Sequence, residues 1–191
     1  MRIDHFDLLA PLYERFIQPK TPERLLPLLA LQAGQRVLDL GGGTGRVAQH
    51  LVKHGVQVIV ADLSLPMLRE ASRKDLLKVV NSASEQLPFT ANSFERILLV
   101  DSLHHVIDHR QTLQEAWRLL KPGGRLVIEE PDIRHWVVKL LALAEKIALM
   151  RSHFLSLGEM QAFCAFPGAE HQFHNESGMV WLVAIKEAAG L

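Results

Sequence analysis

The chain has 191 residues, 48% of them hydrophobic, and its 21 basic and 21 acidic side chains cancel at neutral pH. At ~150 residues per domain this is one domain. The apolar content excludes a disordered or collagen-like chain, and zero net charge argues against a broad basic face for nucleic acid.

The opening stretch, MRIDHFDLLAPLYERF, lacks the apolar core of a signal peptide. Residues 5–17 carry Phe6, Leu9, Tyr13, Phe16 and Ile17 at helical spacing. Thr21 and Pro22 start a second helix that runs from 23 to 31, with Pro27 expected to kink it. A short strand at 36–40 runs into GGGTG, and a helix over 46–54 stops at Gly55. The β-branched run VQVIVA predicts a strand at 56–61, and Ser64 caps a helix beginning near Pro66. Strands follow at 77–81 and 94–100, then a helix at 109–120. Pro122-Gly123 suits the centre of a type II turn, and RLVIE at 125–129 is the fifth strand. Helices at 136–151 and 156–165 precede two late strands, 170–175 and 179–186. The apolar segment 136–150 contains Lys139, Glu145 and Lys146, so no membrane span is expected. The one cysteine, Cys164, allows neither an internal disulfide nor a multi-thiolate metal site, so a reducing cytoplasm is the expected compartment.

Strands without polar alternation, each followed by a helix, predict an α/β fold with a mostly parallel, doubly wound sheet. Ligands of such sheets bind beyond the strand C-termini, where strand order reverses. At that edge the sequence places VLDLGGGTG at 37–45. Glycines let the backbone turn sharply and lie close to a ligand. The dinucleotide pattern G-x-G-x-x-G fails here, since its last position is Arg46 or Ala48. Asp62 ends the second strand, 21 residues after Gly41, where a Rossmann-like unit places a carboxylate for the two ribose hydroxyls. Helix capping, the competing role, suits Ser64 better.

Together, VLDLGGGTGRVA, VADLSLPML, SEQLPF, SFERILLVDSLHHV and LQEAWRLLKPGGRLVI resemble the ordered motifs of class I S-adenosylmethionine-dependent methyltransferases. They fit the subgroup containing the ubiquinone/menaquinone-biosynthesis C-methyltransferase. The resemblance implies a Rossmann-like sheet of seven strands with a C-terminal antiparallel hairpin strand. It also implies one methyltransferase domain: lid helices over 1–33, a cofactor-binding core over 34–134, and substrate-side helices and the last two strands over 135–191. The implied cofactor is S-adenosylmethionine, with S-adenosylhomocysteine as product. Gly41, Gly42 and Gly43 would lie against its methionine moiety, Asp39 would orient the amino group, and Thr44 sits at the turn. Asp62 would hold the ribose, Leu63 the adenine face, and Ala83 and Ser84 the adenine edge. Val100 and Asp101 would line the methionine end, with Tyr13 closing the lid. Ala83 departs from the family, which often has Asp or Asn there, and Phe166-Pro167-Gly168 stands where the family has Gly-Phe.

Methyl transfer from a sulfonium needs alignment and exclusion of water above all. A base is needed only for a protonated nucleophile; His104, His105 and Asp101 are the candidates. Glu130, just past strand 5, is read as a substrate contact or a surface group. Among the ten histidines, His104, His105 and His109 cluster, but His171 and His174 point to opposite faces of a strand. No metal is expected. The five motifs together with the apolar segment after strand 5 point to a carbon or oxygen of a small apolar or aromatic acceptor, while DSLH stands where methyltransferases of amides or nucleobases often carry Asn/Asp-Pro-Pro-aromatic. The alternatives are an S-adenosylmethionine-binding module without turnover and, further off, a nicotinamide-dependent oxidoreductase.

Overall fold

A computed structural model describes residues 22–134 and 153–188. Tyr13, the first predicted helix and the apolar segment 136–150 lie outside these residues. Helix α1 (Leu25–Leu29) leads into β1 (Arg36–Leu40), α2 (Ala48–Leu51, extended as a 3-10 turn to His54) and β2 (Gln57–Asp62). Next come α3 (Leu65–Ala71), β3 (Lys78–Asn81), β4 (Phe94–Val100), a 3-10 turn (Leu103–His105) and α4 (His109–Leu119). The chain continues through β5 (Leu120–Pro131), α5 (Leu157–Phe163), β6 (Ala169–Glu176) and β7 (Met179–Lys186).

The seven strands form one sheet in the order β3-β2-β1-β4-β5-β7-β6. Strands β1 to β5 are parallel, and β7 runs antiparallel to both of its neighbours, β5 and β6. The expected mostly parallel sheet with an antiparallel C-terminal hairpin is what forms. Strand order reverses between β1 and β4, so the segments leaving these two strands open a crevice at their C-terminal ends.

Alternation along the strands splits the core into two layers. Val37, Val58, Val60, Leu98, Val100, Val127, Trp181 and Val183 pack on one face with α1 and α2. Leu38, Leu40, Ile97, Leu99, Ile128 and Leu182 pack on the other, against α4 and α5. Each fully buried Leu or Ile contributes about 1.5–3 kcal/mol of transfer free energy. That reward for covering both faces outweighs the weak helical propensity of short elements such as α2.

Three local expectations are corrected. Pro27 does not kink α1, because it is the third residue of that helix, where its missing N–H has no intrahelical acceptor. The helix also ends at Leu29 rather than 31, with Ala30 in the left-handed region at φ 44°. The fifth strand begins at Leu120 rather than 125, so Pro122-Gly123 lies inside it. Gly123 has the φ of +74° that a type II turn needs, and the pair forms a bulge in the ladder of β5 with β4.

Candidate functional site

The site begins with the glycine turn after β1. Asp39 points to the same face as Val37 and is 2% exposed beneath the turn. A Cβ on Gly42 would fall 2.5 Å from the Asp39 carboxyl carbon, so only glycine lets the backbone pass over that carboxylate. Gly41 has φ +72°, and a Cβ there would meet the Ser102 Cβ at 2.7 Å. Burial, followed by repulsion from Asp62, pushes the Asp39 carboxyl up to about 7; Arg46 and the Ala48 N–H pull the other way. Its Oδ2 has no hydrogen-bond partner among the described residues. A buried acceptor without a donor is costly, and an ammonium group at this point would satisfy it.

Asp62 closes β2 on the same face, in register with Asn81 of β3. Its Oδ2 accepts from the Gly43 N–H and its Oδ1 from the Ser64 N–H, each at 2.8 Å. The half-buried carboxylate is therefore aimed at the glycine turn, not into bulk solvent. Capping of α3 falls to Ser64, whose hydroxyl accepts from the Met67 N–H at 3.4 Å. Asn81 donates to the carbonyls of Asp62 and Leu63, holding the turn that leaves Leu63 66% exposed at the crevice edge. Ala83 and Ser84 follow β3 in a half-buried loop, where the Ala83 carbonyl accepts from the Gln86 N–H at 3.2 Å. Thr44 is buried, and its carbonyl accepts from the Lys74 ammonium at 2.6 Å.

Opposite the turn, β4 ends at Val100, 8% exposed. Asp101 takes φ +50°, a conformation in which aspartate is enriched among non-glycine residues. Its N–H donates to the Glu129 carbonyl at 2.9 Å, and Arg46 reaches its Oδ2 at 3.4 Å. The two candidate histidines sit in the 3-10 turn that follows. His104 is 5% exposed, bonded through Nδ1 to Glu130 at 2.5 Å and stacked on Phe154 at 4.4 Å. His105 lies 4.0 Å from the His104 ring. Burial, then the neighbouring His104, hold His105 down to about 3 against an upward pull from Asp101, so it is neutral and weakly basic at pH 7. His109 turns away to the His153 carbonyl at 3.3 Å. His171 and His174 are opposed to Ala184 and Trp181 of β7 on opposite faces of β6. Among the described residues no three His, Cys, Asp or Glu side chains are grouped to hold a metal ion.

Two acids of β5 complete the picture, and neither has a surface role. Strand 5 runs to Pro131, not 129, so Glu129 and Glu130 are both within it and 3% and 4% exposed. Glu129 shares the Asp39 face and stands between Val100 of β4 and Trp181 of β7 in the ladder. It accepts from the Trp181 indole N–H at 2.7 Å. A cavity of about 270 Å³ opens there, lined by Glu129, Trp181, Leu25, Met179 and the Arg24–Glu176 ion pair. Glu130 points to the opposite face. The sequence offers no cue to Glu129, because an acid in an apolar strand looks like a strand end until pairing with β7 is known.

A sulfonium amino acid joined to adenosine fits this arrangement. Asp39 suits its ammonium group, Asp62 its vicinal hydroxyls and the exposed Leu63 its flat ring. Among the described residues no helix is long and apolar enough to cross a membrane.

Residues 38–128 match the family of methyltransferase domains. A demethylmenaquinone methyltransferase of Paenarthrobacter aurescens (strain TC1) is 34% identical over 154 residues, covering 74% of this chain and 60% of the relative. Another, of Corynebacterium glutamicum (strain R), is 37% identical over 117 residues, covering 61% of this chain and 49% of the relative. The chain thus spans about half the length of the curated relatives it matches. Among solved structures, a chain from the complex of the Haloferax volcanii Trm112 methyltransferase activator with a methyltransferase superposes with a TM-score of 0.84 at 18% identity, covering 98% of this chain and 100% of that one. A SAM-dependent methyltransferase of Thermotoga maritima gives 0.78 at 22% identity, covering 95% and 98%. The [4+2]-cyclase SpnF gives 0.78 at 17%, covering 96% and 94%. These likenesses show the Rossmann-like fold, which hosts more than one chemistry.

Proposed function

We propose that this chain, whose residues 38–128 form a domain of the methyltransferase family, binds S-adenosylmethionine and methylates a carbon or oxygen of a small, apolar or aromatic acceptor. The observation that carries the reading is the buried Asp39 carboxylate under a glycine-only turn, with the Asp62 carboxylate aimed at that same turn. The names of the relatives, demethylmenaquinone methyltransferases, support a ring-bearing acceptor. The cavity beside Trp181 and Met179 supports a small one.

When bound, the cofactor supplies a methyl group activated by a sulfonium. The chain's own contribution is binding, alignment and exclusion of water. Asp39 attracts the ammonium group and Asp62 accepts from the ribose hydroxyls. Val100 and Trp181 present apolar surface next to the acidic Glu129, keeping water from the reacting groups. Tyr13, in the segment before α1, would close the lid. Proton removal from an acceptor hydroxyl falls to Asp101 or His105. His105 presents a neutral ring but only a weak base, and His104 is occupied with Glu130.

That weak basicity favours a second reading, cofactor binding without turnover. Incubation with S-adenosylmethionine and a panel of phenols and quinols separates the two, since only an enzyme releases S-adenosylhomocysteine. Both readings require S-adenosylhomocysteine to bind. Calorimetry should give a Kd tighter than ~100 µM, about −5.5 kcal/mol, and Asp62→Ala should weaken it by about 10- to 100-fold through loss of charge-assisted hydrogen bonds. Absence of heat from the unmodified protein at that concentration would refute the assignment.

A further inference from the structure

On the sheet face away from Asp39 and Asp62, the Glu130 side chain is saturated by one short segment of chain. Its Oε1 accepts from the Ser102 N–H at 2.9 Å and the Leu103 N–H at 2.7 Å. Its Oε2 meets His104 Nδ1 at 2.5 Å. Both side chains are nearly excluded from water, and the His104 ring is stacked on Phe154. Hydrogen bonds to a carboxylate in such a dry setting are strong and directional.

The segment so held is the one that supports the glycine turn. The Ser102 hydroxyl donates to the Leu40 carbonyl at 3.1 Å. The Ser102 Cβ is also the atom that a Cβ on Gly41 would strike. One residue earlier, Asp101 is kept in the left-handed region while its N–H reaches the Glu129 carbonyl. A backbone conformation of this kind costs free energy and persists only where its surroundings impose it.

We propose that Glu130 is a positioning residue that clamps residues 101–104 against strand β5 and thereby sets the floor of the glycine turn. It touches neither cofactor nor acceptor; it acts through Ser102 and the backbone. The inference rests on the reading that this turn holds S-adenosylmethionine. It accounts for a carboxylate in a strand where an apolar side chain would fill the space without needing partners.

The test is calorimetric titration with S-adenosylhomocysteine, at a temperature where every variant is folded. Glu130→Ala should raise Kd at least about tenfold, the effect of releasing hydrogen bonds to a charged acceptor. Glu130→Gln keeps an oxygen for both N–H groups and should stay within about threefold of the unmodified protein. Leu113→Ala, a core cavity on the same sheet face, should lower Tm without moving Kd. Equal Kd values for Glu130→Ala and the unmodified protein would overturn the clamp. So would a loss in Leu113→Ala as large as in Glu130→Ala, or no rescue by Gln.

Hydrogen exchange on the unmodified, ligand-free protein needs no variant to fold. The Ser102 and Leu103 amides should be protected like those of the core strands, and exchange at open-loop rates would sink the proposal. Should the unmodified protein bind no S-adenosylhomocysteine, the reading of the site fails, while amide protection still decides whether Glu130 holds the segment.

Discussion

Asp39 carries a carboxyl group buried beneath the glycine turn. Burial holds it at about 7, above the ~3.9 of an aspartate in an unfolded chain. The folded state therefore favours the protonated form. The stability this contributes is present in full below pH 4 and is lost as pH rises through 7. An ammonium ligand favours the ionised form instead, so binding and protonation oppose each other. We expect S-adenosylhomocysteine to bind up to about tenfold more tightly at pH 8 than at pH 6, the ratio of ionised Asp39 for a group near 7. Asp39→Asn should abolish that dependence and stabilise the ligand-free protein at pH 8. Calorimetry and thermal melts at the two pH values measure both. A Kd that ignores pH would remove Asp39 from the amino-group site. Cys164 shows the same force on a different group: burial pushes its thiol up to about 12, so it is inert at neutral pH.

Helix α1 shows how an element's end is set from outside it. Its last carbonyls have no intrahelical donors. Arg96, on β4 and 7% exposed, donates to the Leu29 carbonyl at 2.5 Å and the Ala30 carbonyl at 3.0 Å. Arg125, on β5, donates to the Leu28 carbonyl at 3.1 Å. Two arginines in the sheet thus pin the helix that covers its crevice face, and they explain why α1 stops where it does. Arg96→Met keeps the apolar stem and removes the donors. It should cost about 2–3 kcal/mol, the range for charge-assisted bonds lost in a buried place. At about 2–4 °C per kcal/mol for a chain of this size, Tm should fall by about 4–12 °C. A melt within 1–2 °C of the unmodified protein, less than about 1 kcal/mol, would show that packing alone seats α1.

Across the whole molecule, the β6–β7 hairpin completes the core and one wall of the cavity beside Glu129. Strand β7 pairs with β5 from Arg125 to Pro131 and is buried from Val180 to Ala184. Trp181 extends the row Val100–Glu129–Trp181 across the sheet. Truncation before Ala169 would expose the long apolar edge of β5, a template for pairing between chains. Such a chain should elute as aggregates in size exclusion, whereas a monodisperse product would show that the parallel five strands suffice alone.

Most of the frame is legible in the sequence. Strands β1, β4 and β7 fall where their apolar runs predict, and the glycine turn and Asp62 stand at their expected strand ends, because runs, caps and turns are encoded by neighbouring residues. Helix α2 is closed by Gly55 and α3 capped by Ser64 for the same local reason. The depth of Glu129 and Glu130, the engagement of His104 and the weak basicity of His105 were not legible. Nor was the pinning of α1 by Arg96, 67 residues away from Leu29. Each depends on which strand lies beside which, and so on partners far apart in the chain. The sequence by itself determined a parallel α/β frame with a glycine turn and a carboxylate at its edge. Only the tertiary structure decided which acids face the crevice, which clamp its floor and how basic His105 is, because burial and pairing are properties of the assembled sheet.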